Sequence, residues 1–126
     1  MKRIKISLAL TAIVLAASVF EVIYVGKKSD DYTDRINKID ALLLKNNTKD
    51  ALKECRALEA DWDGDAEKIY TLLSHDTVDS VGYEISGMRA HIENNSAAMY
   101  FFESAGAKKG LASIKGSEYP FIENIL

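Results

Sequence analysis

One feature limits the fold of this chain more than any other: residues 6–25 read ISLALTAIVLAASVFEVIYV, with a single charge, Glu21. As an α-helix those residues rise about 30 Å, the thickness of a bilayer's hydrocarbon core. A helix suits that setting because it satisfies its backbone N–H and C=O groups internally. Lys2, Arg3 and Lys5 precede the segment, and Gly26-Lys27-Lys28 follows it. Glu21 falls about one turn from the segment's end, level with Phe20 and Tyr24, where its carboxylate reaches the interface.

Two readings of the segment compete. It is a permanent anchor, or it is a secretory signal peptide with residues 1–5 as the basic region and Ala16 and Ser18 as the −3 and −1 residues of a cleavage site. The apolar run continues past Ser18, which favours the anchor. The more basic flank lies before the segment, so the expected orientation is N-terminus in the cytoplasm and the remainder outside. Cleavage near Ser18 would instead release the remainder. The expected organisation is therefore a basic flank at 1–5, a transmembrane anchor at 6–28 and an extracytoplasmic domain at 29–126.

That domain holds eleven basic and eighteen acidic residues, a net charge of −7, against −3 for the whole chain. A field of that sign repels nucleic acid and anionic lipid headgroups, so no nucleic-acid partner is expected. Cys55 is the one cysteine, which rules out an intramolecular disulfide and suits a small buried side chain.

Apolar spacing within 29–126 predicts helices. Ser29-Asp30-Asp31 is a polar break, or a stretch the first helix runs straight through. Tyr32, Ile36, Ile39 and Leu43 then mark one helical face, which fades at Lys45-Asn46-Asn47. Thr48 is placed to cap a second helix, whose face is Leu52, Cys55, Leu58, Trp62, Ala66, Ile69 and Leu73. Gly64 predicts a kink or break within it. Asp76 or Thr77 caps a third helix with Val78, Val81, Ile85, Met88 and Ile92 facing inward. Asn94-Asn95 ends it, and Ser96 caps a fourth over about 97–114. Met99, Phe102, Leu111 and Ile114 are expected to supply much of its apolar face, widened by Tyr100 and Phe101. Gly116-Ser117 and Tyr119-Pro120 predict an end to that helix. Short connections imply antiparallel neighbours. The fold class is all-α: an N-terminal transmembrane helix followed by a small up-and-down antiparallel bundle of three to four helices.

No pattern carries chemistry. His75 and His91 stand about 24 Å apart along one helix, too far for shared ligation; His75 reads as a junction residue and His91 as a surface one. Asp61, Asp63, Asp65 and Glu67 fail the calcium-loop pattern, since Gly64 and Leu72 occupy the wrong positions. There is no nucleophile elbow and no phosphate-binding glycine loop. Asn46-Asn47-Thr48 and Asn94-Asn95-Ser96 match glycosylation acceptors, but helix junctions need those residue types anyway. No catalytic, cofactor-binding or metal-ligating residue is assigned.

Trp62, residues 72–79 (LLSHDTVD), the Ile85, Met88, Ile92 line and the closing FIENIL of residues 121–126 occur in a telling order. In these the chain resembles an uncharacterised bacterial family, a domain of unknown function known from Gram-positive, spore-forming lineages. The resemblance implies membrane attachment and an all-helical domain; it supplies no activity and no site residues. The chain departs from the pattern at Gly82, Gly87, Gly106 and Gly110, where better helix formers are expected. That weakens the expectation of two regular final helices.

The expected function is a non-enzymatic interaction or regulatory module for another membrane or envelope protein, held to the bilayer by residues 6–25. Trp62, His75, Phe121, Ile122, Ile125 and Leu126 are the candidate interaction residues. The alternatives are a ligand-sensing or small hydrolytic domain with a site between helices, and a structural homo-oligomer.

Overall fold

The computed structural model describes the backbone of residues 1–70 and 75–125, and the side chains of residues 1–69 and 75–116. Four helices follow one another: α1 Lys2–Leu44, α2 Thr48–Tyr70, α3 His75–Glu93 and α4 Ala97–Ile125. Each packs against two neighbours in the ring α1–α2–α3–α4–α1. The pairing runs antiparallel: Ser29 of α1 meets Leu111 of α4, while Asp40, eleven residues on, meets Tyr100. The domain is thus a four-helix up-and-down bundle, whose first helix is continuous with the apolar segment.

That continuity settles the stretch at Ser29-Asp30-Asp31, through which α1 passes unbroken. Ser29 is buried, and its Oγ donates to the Leu111 carbonyl at 2.6 Å. A hydroxyl satisfied in this way can occupy a packed helix face. Packing starts at Val25, which is buried, whereas Ile4, Leu8, Ile13, Val14, Phe20 and Ile23 stay half or more exposed. By length and composition the apolar part of α1 could cross a membrane, a test that a signal sequence also meets.

The α1–α2 and α3–α4 connections use one device. Asn46 and Asn95 take left-handed conformations, φ 59° and 56°. Around the first, the Asn47 N–H donates to the Leu42 carbonyl and the Asn46 N–H to that of Leu43; around the second, Ser96 donates to His91 and Asn95 to Ile92. This is the Schellman pattern, with asparagine where glycine is usual. The residue after each asparagine then opens the next helix. Asn47, not Thr48, fills the cap of α2, its Oδ1 facing the Asp50 N–H at 3.4 Å. Ser96 holds the cap position of α4, as expected. By contrast α3 begins at His75, which leaves Asp76 in its first turn rather than at its cap.

In α3 the buried residues are Val78, Val81, Ile85, Met88 and Ile92, the face expected from spacing. In α2 the line is Ala51, Cys55, Leu58, Trp62, Ala66 and Ile69; Leu52 is only half-buried, and Leu73 lies outside the described residues. The helix runs unbroken through Gly64, whose Cα faces open space.

The correction in α4 is larger. Tyr100, Ser104, Ala107, Leu111 and Ile114 face the core, while Phe102 is 73% exposed and Met99 47%. The polar atoms of this line do not oppose burial, because Tyr100 Oη and Ser104 Oγ both donate to Asp40 Oδ1 at 2.7 Å. Lys108, one turn further, donates to Asp40 Oδ2 at 2.9 Å. The helix also continues past Gly116 and Pro120 to Ile125 rather than ending near 114. Among the described residues no glycine has a positive φ, so each stays in helical register.

Candidate functional site

The candidate interaction residues fall in three settings. Trp62 is buried at 2% exposure, edge-on to Tyr32 with ring centroids 5.0 Å apart. Its Nε1 lies 3.3 Å from where a Cβ on Gly82 would sit, so the glycine makes room for the indole. His75 is exposed at the start of α3. Phe121, Ile122 and Ile125 belong to the last turns of α4, but their side chains, and all of Leu126, lie outside the described residues.

Beside Trp62, α1 and α2 enclose a polar groove of about 710 Å³, lined by Lys28, Tyr32, Arg35, Asp61, Asp65 and Lys68 among others. Asp65 organises it. The Tyr32 hydroxyl donates to Asp65 at 2.5 Å and the Lys28 ammonium at 3.3 Å. Burial alone would raise the Asp65 carboxyl, but those two donors outweigh it and hold the group below the usual carboxylate range. Burial pushes the Tyr32 phenol well above its ordinary value, and Asp65 adds to the shift. Arg35 reaches Asp61 at 2.8 Å. These pairs supply both signs of charge to the groove wall.

Three of the four seams are joined by a cationic side chain on a carboxylate. Across α1–α2 these are Lys28–Asp65, Arg35–Asp61 and Lys38–Glu54. Arg89–Glu59 at 2.8 Å and Arg56–Glu93 at 3.3 Å join α2 to α3. Lys108–Asp40 and Lys115–Asp30 join α1 to α4.

The α3–α4 seam differs. Among the described residues it carries no Lys or Arg pair; His91 Nε2 stands 3.8 Å from Glu103 Oε1. His91 is half-buried there rather than on the surface. Instead, side chains of one helix rest on glycines of the other. A Cβ on Gly106 would meet Glu84 Oε1 at 2.8 Å, one on Gly87 would meet Glu103 Cδ at 2.9 Å, and one on Gly110 would meet Val81 Cγ2 at 2.7 Å. The glycines that seemed to threaten these helices are what lets them approach.

The outward faces also contrast. In α2, from Thr48 to Ile69, eight of the twelve exposed residues are charged; in α4, from Ala97 to Gly116, only Lys109 of nine is. The α4 face presents Met99, Phe102, Ala105, Ala112, Ser113 and Gly116 to solvent. Sequence reasoning missed this surface because it assigned Met99 and Phe102 to the core. Among the described residues, no group of three His, Cys, Asp or Glu side chains is placed to hold a metal ion.

Fold and faces together define a class: an all-helical bundle on the end of a long apolar helix, with one charged side and one nearly uncharged. The chain belongs to the family described as Domain of unknown function (DUF4363), whose model matches residues 19–125. The match begins inside the apolar segment and spans all four helices. No curated protein matches the chain. No solved structure matches it either.

Proposed function

We propose that this protein is a single-pass, membrane-tethered interaction module, with its N-terminus in the cytoplasm and its bundle outside. On this reading the apolar part of α1 is an anchor, and α4 docks another membrane or envelope protein. The observation that carries the proposal is the α4 face, which exposes Met99 and Phe102 and, among the described residues from Ala97 to Gly116, carries Lys109 as its one fully exposed charge. Exposed apolar surface of this kind is costly to leave in water and typically marks a contact. The partner surface that fits is a mainly apolar helix with a carboxylate positioned for Lys109. Tethering both proteins in one bilayer raises their effective concentration, so even a small contact face is useful.

The test is photocrosslinking in intact cells from Phe102 and Ala105, with Asp63 on the charged α2 face as control. A recurrent second membrane protein captured from the α4 positions and not from Asp63 is the expected result. Adducts only between copies of this chain would replace the reading with a homo-oligomer. Capture from Asp63 alone, or from none of the three positions, would overturn it.

A further inference from the structure

Among the described residues, the α3–α4 seam holds its carboxylates with no Lys or Arg paired across it. Glu84 lies across α4 in the notch between Gly106 and Gly110: from those two glycines' Cβ positions its Oε2 stands 3.4 and 3.8 Å away. That oxygen is buried and has no hydrogen-bond partner. Less than one helical turn away, Glu103 of α4 lies across Gly87 of α3 in the reciprocal arrangement. The two glycine seats bring two acids onto one seam and take one oxygen of Glu84 out of water.

We infer that this seam is a proton-operated joint: with Glu84 protonated α3 and α4 are drawn together, and with Glu84 ionised beside Glu103 they are pushed apart. A buried carboxylate oxygen lacking a donor is unfavourable when charged, and a second carboxylate nearby makes it more so. Protonation removes the repulsion and gives Glu84 an O–H to donate. Glu103 is the acid facing Glu84 from α4, and it raises the Glu84 carboxyl beyond what burial does. Lys109 of α4 and Asp76 of α3 line the same recess of about 340 Å³, at its rim, both exposed to solvent. His91 of α3, when charged, attracts Glu103 and closes the seam further. On the opposite side of α3, facing α2, Arg89 is engaged by Glu59 and Glu93.

The sign follows from linkage. A group whose carboxyl is raised in the folded state stabilises that state fully in acid, below the ordinary glutamate range. That stabilisation is lost as pH rises through the raised value. The inference stands on the seam and not on the docking reading above.

The experiment is hydrogen exchange on the full chain in phospholipid nanodiscs between about pH 4 and 8, corrected for intrinsic rates. Amides of α3 and α4 in the native protein should lose protection roughly tenfold per pH unit within the window where Glu84 titrates. Glu84→Gln should hold those amides in the protected state and flatten the profile. Glu103→Gln should move the loss to lower pH, and it serves if Glu84→Gln does not fold. Carbon-13 titration of the Glu84 carboxyl supplies a readout that simple helix loosening does not move. An ordinary glutamate midpoint, or unchanged profiles in both variants, would overturn the inference.

Discussion

The α1–α2 and α3–α4 halves are both antiparallel helical pairs, yet they are held by opposite means. Across α1–α2 the helices carry full side chains, and charged or phenolic groups bridge between them, as Lys28 and Tyr32 do on Asp65. Across α3–α4 the bridging groups give way to glycine, and Glu84, Val81 and Glu103 rest on backbone. Close approach gains dispersion contact but makes each position intolerant of added volume. Bridging by hydrogen bonds sets position by donor and acceptor, and tolerates small errors in distance. The bundle thus has one seam specified by polar pairing and another specified by shape. Trp62 touches both systems, with Tyr32 on one side and Gly82 on the other.

If Trp62 is what couples the halves, removing it should have the largest effect on either. Trp62→Ala is expected to cost about 3–5 kcal/mol, read as a shift in the denaturant midpoint of the full chain. A loss below about 1 kcal/mol would mean the indole is not a packing element. Next in size comes a matched pair of glycine substitutions. Gly110→Ala sets a methyl 2.7 Å from the Val81 methyl, a β-branched side chain with little freedom to move. Overpacking of about 1–3 kcal/mol should outweigh the helix-propensity gain of about 1 kcal/mol, so the melting temperature falls. Gly64→Ala meets nothing within 4 Å and should raise it. Equal signs for the two would erase the distinction between a seated glycine and an idle one.

The smallest effect sharpens the comparison by its direction. Asp65 is held below the usual carboxylate range, so what it adds to stability is present above the ordinary aspartate range. It is lost as pH falls through the depressed value. The α1–α2 half therefore loosens in acid, where the α3–α4 half tightens. Asp65→Asn should abolish the acid loss of protection in α1 and α2 and leave the α3–α4 profile unchanged, as read by hydrogen exchange. Equal loss of protection in both halves as the pH falls would show a single cooperative response instead.

Most of this architecture is legible in the residues. The inward line of α3 is entirely apolar, so spacing alone identifies it, and the two Asn-Asn junctions supply the left-handed residue each helix end needs. Cys55 is buried, as its place on the apolar face suggests, and burial pushes its thiol up to about 12. The α4 face was misread for a specific reason. Met99 and Phe102 compete with Tyr100 and Ser104 for the core, and hydropathy favours the first pair. What decides otherwise is Asp40, sixty residues away in sequence from Tyr100, which accepts from both hydroxyls. The expected kink or break at Gly64 and the expected end near Gly116 failed because one glycine costs a helix only about 1 kcal/mol, which the turns on either side outweigh. Of the candidate site, Trp62 and His75 could be flagged singly, but the Glu84 seat needs α3 and α4 in register, which no local pattern encodes.

The unbroken course of α1 has a mechanical consequence. Its forty-three residues make a rod about 64 Å long. No residue between the apolar stretch and the bundle acts as a swivel, and Ser29 is pinned to Leu111 at the point where one would be expected. Twist about the rod's axis is therefore delivered to the bundle undamped, and with it the compass bearing of the α4 face. Inserting one residue into α1 ahead of Val25 would turn that face by about 100°, while four residues would bring it back to within about 40° of its starting direction.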